Sequence, residues 1–148
     1  MLIRALDVEP SEHRYDPDDY DYQLLWDLGY ACIRVKRYEE GEYYYAQVLL
    51  ISPSKGIAAY NLACNFSMRA QDAAAPWRDR FKREALDYLR RAIEDYGYGD
   101  WKWMEEDGDL DFIRGEKEYK ALLRRLKERY PERAKGKVAK GRSALGPR

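Results

Sequence analysis

Histidine is nearly absent from this chain of 148 residues, and cysteine, β-branched residues and long apolar runs are all scarce. His13 is the single histidine, and it stands in an acidic leader with neither a nucleophile nor a metal partner beside it. It is therefore a poor general base or ligand. Cys32 and Cys64 form no CxxC pair and no spaced framework, and no basic neighbour activates either thiol. They are expected to be buried thiols in a reducing compartment, with the cytoplasm as the default location. No segment reaches the roughly 18 apolar residues of a membrane span. Met1 to Pro10 also lacks the apolar core of a signal peptide. The ten glycines are isolated, so no GxGxxG or phosphate-cradling loop occurs. These absences point away from an enzyme, a cofactor and a membrane protein. The formal net charge is zero, so the chain as a whole is not a polyelectrolyte binder.

What the chain does have is Leu, Ala, Glu, Lys, Arg and fourteen tyrosines, a composition that favours helix over strand. Its length fits one domain with a modest core. The charge is uneven: Asp7, Glu9, Glu12, Asp16, Asp18, Asp19 and Asp21 make the start acidic, and the chain is basic from Arg114 onward. Residues 1–16 are expected to be a mobile leader, residues 17–130 a helical domain and residues 131–148 a basic, disordered tail. Asp16-Pro17-Asp18-Asp19 combines a capping oxygen, a proline for the first turn and carboxylates for the dipole. It opens a first helix running to about Lys36. Tyr38 to Ile51 is the second, stopped by Ser52-Pro53. Ser54 caps a third, running from Lys55 to Ala70 or a little beyond. Pro76 opens a fourth, with Phe81, Ala85, Leu89, Ala92 and Ile93 on one face. Gly97 and Gly99 stop it. A short helix over Trp101 to Met104, a turn at Asp107-Gly108-Asp109 and an amphipathic helix over Glu116 to Tyr130 complete the domain. Between the third and fourth helices, residues 71–82 should lengthen both beyond the body, placing Trp77 and Phe81 near a projecting tip.

The first and third helices share a pattern. Leu25, Leu28, Gly29 and Cys32 recur 34 positions later as Ala59, Leu62, Ala63 and Phe66. Gly41, Tyr45 and Val48 recur 44 positions later as Ala85, Leu89 and Ala92, an offset that implies an insertion of about ten residues. Small residues at Gly29, Gly41, Ala63 and Ala85, aromatics at Tyr38 and Tyr45, and Pro53 after the second helix resemble the tetratricopeptide repeat. Leu25 stands where that family often has tryptophan, and Leu89 fills an aromatic slot. The segment Asp109 to Arg114, with Tyr119, Leu122 and Leu123, resembles the closing unit of such arrays. The resemblance spans Tyr22 to Leu126. It implies an all-α fold: antiparallel helical hairpins in a short solenoid with a C-terminal capping helix.

The resemblance also implies a concave groove lined by the first helix of each unit. Its register places Gln23, Trp26, Asp27, Tyr30, Ile33 and Arg34, then Ile57, Tyr60, Asn61, Cys64 and Met68, on that face. Aromatics beside Arg34 and Asn61 have the composition of interaction hot spots. The expected function is thus an adaptor that binds a partner protein or peptide, the same surface serving alternatively as a homodimer interface. A second alternative is that the leader or the closing segment packs there and hides the aromatics. Trp26 and Tyr30 replace a lysine and an asparagine of the family's carboxylate clamp, so an apolar or aromatic peptide suits the groove better than a terminal carboxylate. Glu105 to Asp111 fails as a calcium loop, because Trp103 takes one ligand place and Arg114 the place of the closing glutamate. The basic tail lacks interleaved aromatics, so no specific nucleic-acid recognition is expected.

Overall fold

The computed structural model describes residues 20–131, with side chains from Gln23 onward, and everything described is helix, turn or loop. Six α-helices occur among these residues. They are α1 (Tyr20–Arg34), α2 (Tyr38–Ile51), α3 (Lys55–Asp72), α4 (Ala75–Arg90), α5 (Trp101–Glu106) and α6 (Lys117–Arg129). A π-helical turn, Arg91–Asp95, continues α4, and a 3-10 helix, Gly108–Ile113, joins α5 to α6. The chain is all-α, its helices packed largely as sequential pairs. No helix of the described residues is long and apolar enough to cross a membrane. The capping sequence at Asp16 and the proposed leader and tail lie outside the described residues, apart from Pro131.

Two glycines let the helices approach. A Cβ on Gly29 would meet the Tyr45 ring at 3.1 Å, so α1 and α2 cross where the sequence places a small residue. A Cβ on Gly41 would come within 2.8 Å of Asn65 Nδ2, which marks the crossing of α2 on α3. Asn65 uses that same nitrogen to donate to the Tyr38 carbonyl (3.0 Å), fastening α3 to the start of α2. α3 packs between α2 and α4 and is buried along most of its length, including Ala58, Ala59, Tyr60, Leu62, Ala63 and Phe66.

Two apolar clusters result. One joins Leu25, Trp26, Leu28 and Cys32 of α1 to Tyr44, Tyr45 and Val48 of α2 and Leu62 of α3. The other joins Ala63 and Phe66 to Leu86, Leu89 and Ile93, and then to Met104, Leu110, Ile113, Tyr119, Leu122 and Leu126. The closing segment thus supplies a third layer, covering the face of the second hairpin that would otherwise meet water. The expected tip is present: α3 runs on to Asp72, a bend occupies Ala73-Ala74, and Pro76 sits in the first turn of α4. Ser54 does not cap α3 with its side chain. Instead the Ser52 hydroxyl accepts from the Ser54 backbone N–H at 2.8 Å, tightening the turn after α2.

Candidate functional site

The expected groove residues divide by burial. Trp26, Ile33, Tyr60, Asn61 and Cys64 are all at most 3% exposed. Tyr30, Ile57 and Met68 are half-buried, while Gln23 and Arg34 reach solvent. An open aromatic surface of Trp26, Tyr30 and Tyr60 is therefore not what the fold presents. There are two reasons: Trp26 turns into the α1–α2 cluster against Tyr45, and the segment from Tyr98 to Ile113 packs over Tyr60 on the side of α3 that the repeat register assigns to the groove.

Its contacts there are specific. Tyr98 stacks on Tyr60 with centroids 4.5 Å apart and planes 12° from parallel. The Tyr60 hydroxyl donates to Asp107 Oδ2 at 2.7 Å, and Cys64 Sγ lies 3.7 Å from the same oxygen. Asp107 Oδ1 accepts from the Asp109 backbone N–H at 3.0 Å, capping the 3-10 helix. Arg34 closes the rim: its guanidinium donates to Asp109 at 2.7 Å and to Met68 Sδ at 3.3 Å, and lies over the Tyr30 ring at 5.3 Å. Trp26 sits deeper, edge-on to Tyr45 at 6.1 Å. Arg114 organises the far side, donating to the carbonyls of Met104 (2.8 Å) and Asp107 (2.6 Å) and to the Tyr119 hydroxyl (2.7 Å).

The chemistry available to this cluster is limited. Ligand atoms of Cys64, Asp107 and Asp109 lie within 4.8 Å of one another. Both oxygens of Asp107 already accept hydrogen bonds, however, and Asp109 already faces a guanidinium. This is a hydrogen-bonded plug whose aspartates cap turns. Burial pushes the Tyr60 hydroxyl far above the usual tyrosine range, and the carboxylate beside it acts in the same direction. It is therefore a neutral donor at every physiological pH. Burial also raises the Cys32 thiol, which leaves it a packing group and not a nucleophile.

A different feature stands open. Trp77, near the start of α4, is 52% exposed. It stacks on Phe81 (6.2 Å, 21° between planes) and carries the Arg80 guanidinium at 5.6 Å. Phe81 in turn lies under Arg69 at 4.2 Å. Tyr43 and Leu50, seven residues apart on the outer side of α2, are also exposed, at 48% and 73%. The groove register derived from the repeat selects helix faces and could not reach Asp107, Asp109 or Arg114, which lie outside both units. The Asp107-Gly108-Asp109 turn was the available signal for them. No family model, curated protein or solved structure matches this chain.

Proposed function

We propose that this chain is a short tetratricopeptide-like adaptor that binds another protein and catalyses no reaction, and that its contact surface is the projecting α3–α4 tip. The observation that carries this reading is Trp77: half exposed, yet stacked on Phe81 and in contact with the Arg80 guanidinium. Single exposed apolar residues are common on monomers. A tryptophan stacked in a ladder of aromatic and guanidinium groups is a rarer thing. It combines the residue types most enriched in binding hot spots with little ordering entropy left to lose. A partner suited to it carries an apolar side chain flanked by acidic groups. The inner face suits the role less well in this conformation. Emptying it means withdrawing a segment that buries Met104, Leu110 and Ile113 completely. Cys32 and Cys64, both buried and not joined in a disulfide, favour a reducing compartment such as the cytoplasm.

Tyr43 and Leu50 support a second reading, self-association through the outer side of α2. Sedimentation of wild type and Leu50→Glu separates the two, since only self-association predicts a dimer that the substitution dissolves. The adaptor reading is tested with Trp77→Ala in the full chain. Recovery of the partner from a lysate of the native cell should fall at least about 30-fold, the equivalent of roughly 2 kcal/mol. The melting temperature should stay within a degree or two, because Trp77 lies outside both apolar clusters. Undiminished recovery of the same protein by Trp77→Ala would remove the tip from the interface.

A further inference from the structure

We infer that Asp107-Gly108 is a latent site of spontaneous isoaspartate formation, held unreactive by the contacts of the closing segment and released when that segment opens. It is the one Asp-Gly or Asn-Gly sequence in the chain. A glycine in second place favours the rearrangement, because it puts no side chain in the way of its own amide nitrogen. That nitrogen attacks Asp107 Cγ, its proton and the carboxyl hydroxyl leave as water, and a succinimide ring joins the two residues. Water then adds at the former Asp107 carbonyl carbon, the C–N bond there breaks, and the main chain continues through Cβ and Cγ. One water leaves and one enters, so the product has the same mass and no oxidant or enzyme is needed.

The fold holds the two reacting atoms apart. Ring closure requires Asp107 Cβ to eclipse the Gly108 nitrogen about the Cα–C bond, which for an L residue falls at ψ of roughly −120°. Asp107 has ψ 108°, far from that arrangement. Its carboxylate is fixed at both ends, Oδ2 accepting from the Tyr60 hydroxyl and Oδ1 from the Asp109 N–H. Its carbonyl accepts from Arg114 at 2.6 Å and from the Leu110 N–H at 3.1 Å, which opposes the rotation in ψ that the reaction needs. The nucleophile is less constrained. Gly108 is exposed and is the first residue of the 3-10 helix, so its N–H lies ahead of that helix's ladder. The fold does not require glycine there either: an added Cβ would meet only Asp111 Oδ2, at an ordinary 3.8 Å. The product, in contrast, cannot keep the plug. Cγ becomes a main-chain amide carbon, so Tyr60 and Asp109 lose their carboxylate, and Arg114 and Leu110 lose their carbonyl. The main chain also lengthens by one carbon between Met104 and Leu110, both sealed in the core. Isomerisation is thus a one-way opening of the cover over Tyr60.

The experiment ages the full chain at mildly acidic pH, in buffer and in urea sufficient to unfold it. Digestion, enzymatic methylation of isoaspartyl carboxyls and mass spectrometry then count the product at Asp107. The unfolded chain should isomerise at least about tenfold faster than the folded one, because the folded chain reacts only through a sparsely populated local opening. Tyr60→Phe keeps the ring and removes one holding bond, so it should speed the folded reaction several-fold. Val48→Ala, a truncation in the other apolar cluster, should leave that rate nearly unchanged. Gly108→Ala should melt like wild type and form far less product even in urea. The purified isoaspartyl chain should melt lower than the unaged protein. Four results overturn the proposal: equal rates in buffer and urea; no acceleration by Tyr60→Phe; an equal acceleration by Val48→Ala, which would make global unfolding the gate; or an isoaspartyl chain as stable as the original.

Discussion

At the scale of single residues, the decisive pair is Trp26 and Tyr60. Both lie on helix faces that the repeat register assigns to a binding groove, and both are 1% exposed. Truncating them should therefore cost folding energy. Trp26→Ala should lose about 3–5 kcal/mol, as large aromatic truncations in cores do. Tyr60→Phe is the finer probe, since it keeps the ring stacked on Tyr98 and removes only the donor to Asp107. A hydrogen bond to a charged acceptor contributes about 1.5–3 kcal/mol, so chemical denaturation should show a loss in that range. Asp107→Asn should cost less in the Tyr60→Phe background than alone, which a double-mutant cycle measures. Independent losses that simply add would mean that the Tyr60 hydroxyl is not held by this carboxylate. The register put Trp26 on an open face, whereas it packs against Tyr45 inside the α1–α2 cluster; for Tyr60, only the chain after α4 could say what covers it. That covering is long-range and polar, made by Asp107 and Asp109, and no periodicity announces it.

At the scale of elements, helix limits were legible wherever local chemistry sets them. Pro53, Pro76, Gly97 and Gly99 each stand at or beside the end of an element, and Trp77 and Phe81 meet at the tip that the shifted repeat spacing implies. Gly97 is needed there, because its φ of +76° follows the π-turn, whose five-residue spacing no pattern of apolar positions indicates. The end of α1 was less legible. The N–H of Arg37 bonds the Cys32 carbonyl at 2.8 Å, and that of Lys36 bonds Ile33 at 3.0 Å, a Schellman closure. The left-handed position it requires, usually glycine, is held by Lys36 at φ 66°. A non-glycine residue there carries a steric cost of roughly 1 kcal/mol. The Lys36–Asp72 ion pair offsets little of that cost, being exposed on both sides. Lys36→Gly should accordingly stabilise the protein by about 0.5–1 kcal/mol, visible as a small rise in melting temperature. A fall would show that the ion pair, or the glycine's extra freedom in the unfolded chain, outweighs the strain.

For the molecule as a whole, the two clusters meet at α3, and three buried tyrosines join the closing segment to the rest: Tyr60, Tyr98 and Tyr119. Burial is the largest influence on each and moves each hydroxyl upward, Tyr119 to about 12. Tyr119 donates to the Met104 carbonyl at 3.1 Å and accepts from Arg114 at 2.7 Å, so ionising it breaks the bond to Met104. The sign of the pH effect follows from linkage. A group whose folded pKa exceeds its unfolded value of about 10 leaves the folded chain holding more protons, so stability falls as pH rises between the two values. For Tyr119 alone that fall is roughly 2–3 kcal/mol by pH 12, since each tenfold difference in proton affinity between the folded and unfolded chain is worth about 1.4 kcal/mol. Tyr60 and Tyr98 add to it in the same direction. Helical circular dichroism should therefore hold up to about pH 10 and collapse above it. The tyrosinate absorbance near 295 nm should rise in two stages, an early one from exposed rings and a later one coincident with loss of helix. Tyr119→Phe removes one of the groups that resist ionisation and should move the midpoint of collapse to higher pH, although it weakens the fold at neutrality. A single absorbance stage complete while the helical signal is intact would mean that water reaches these hydroxyls in the folded chain, and that the closing segment does not seal the inner face.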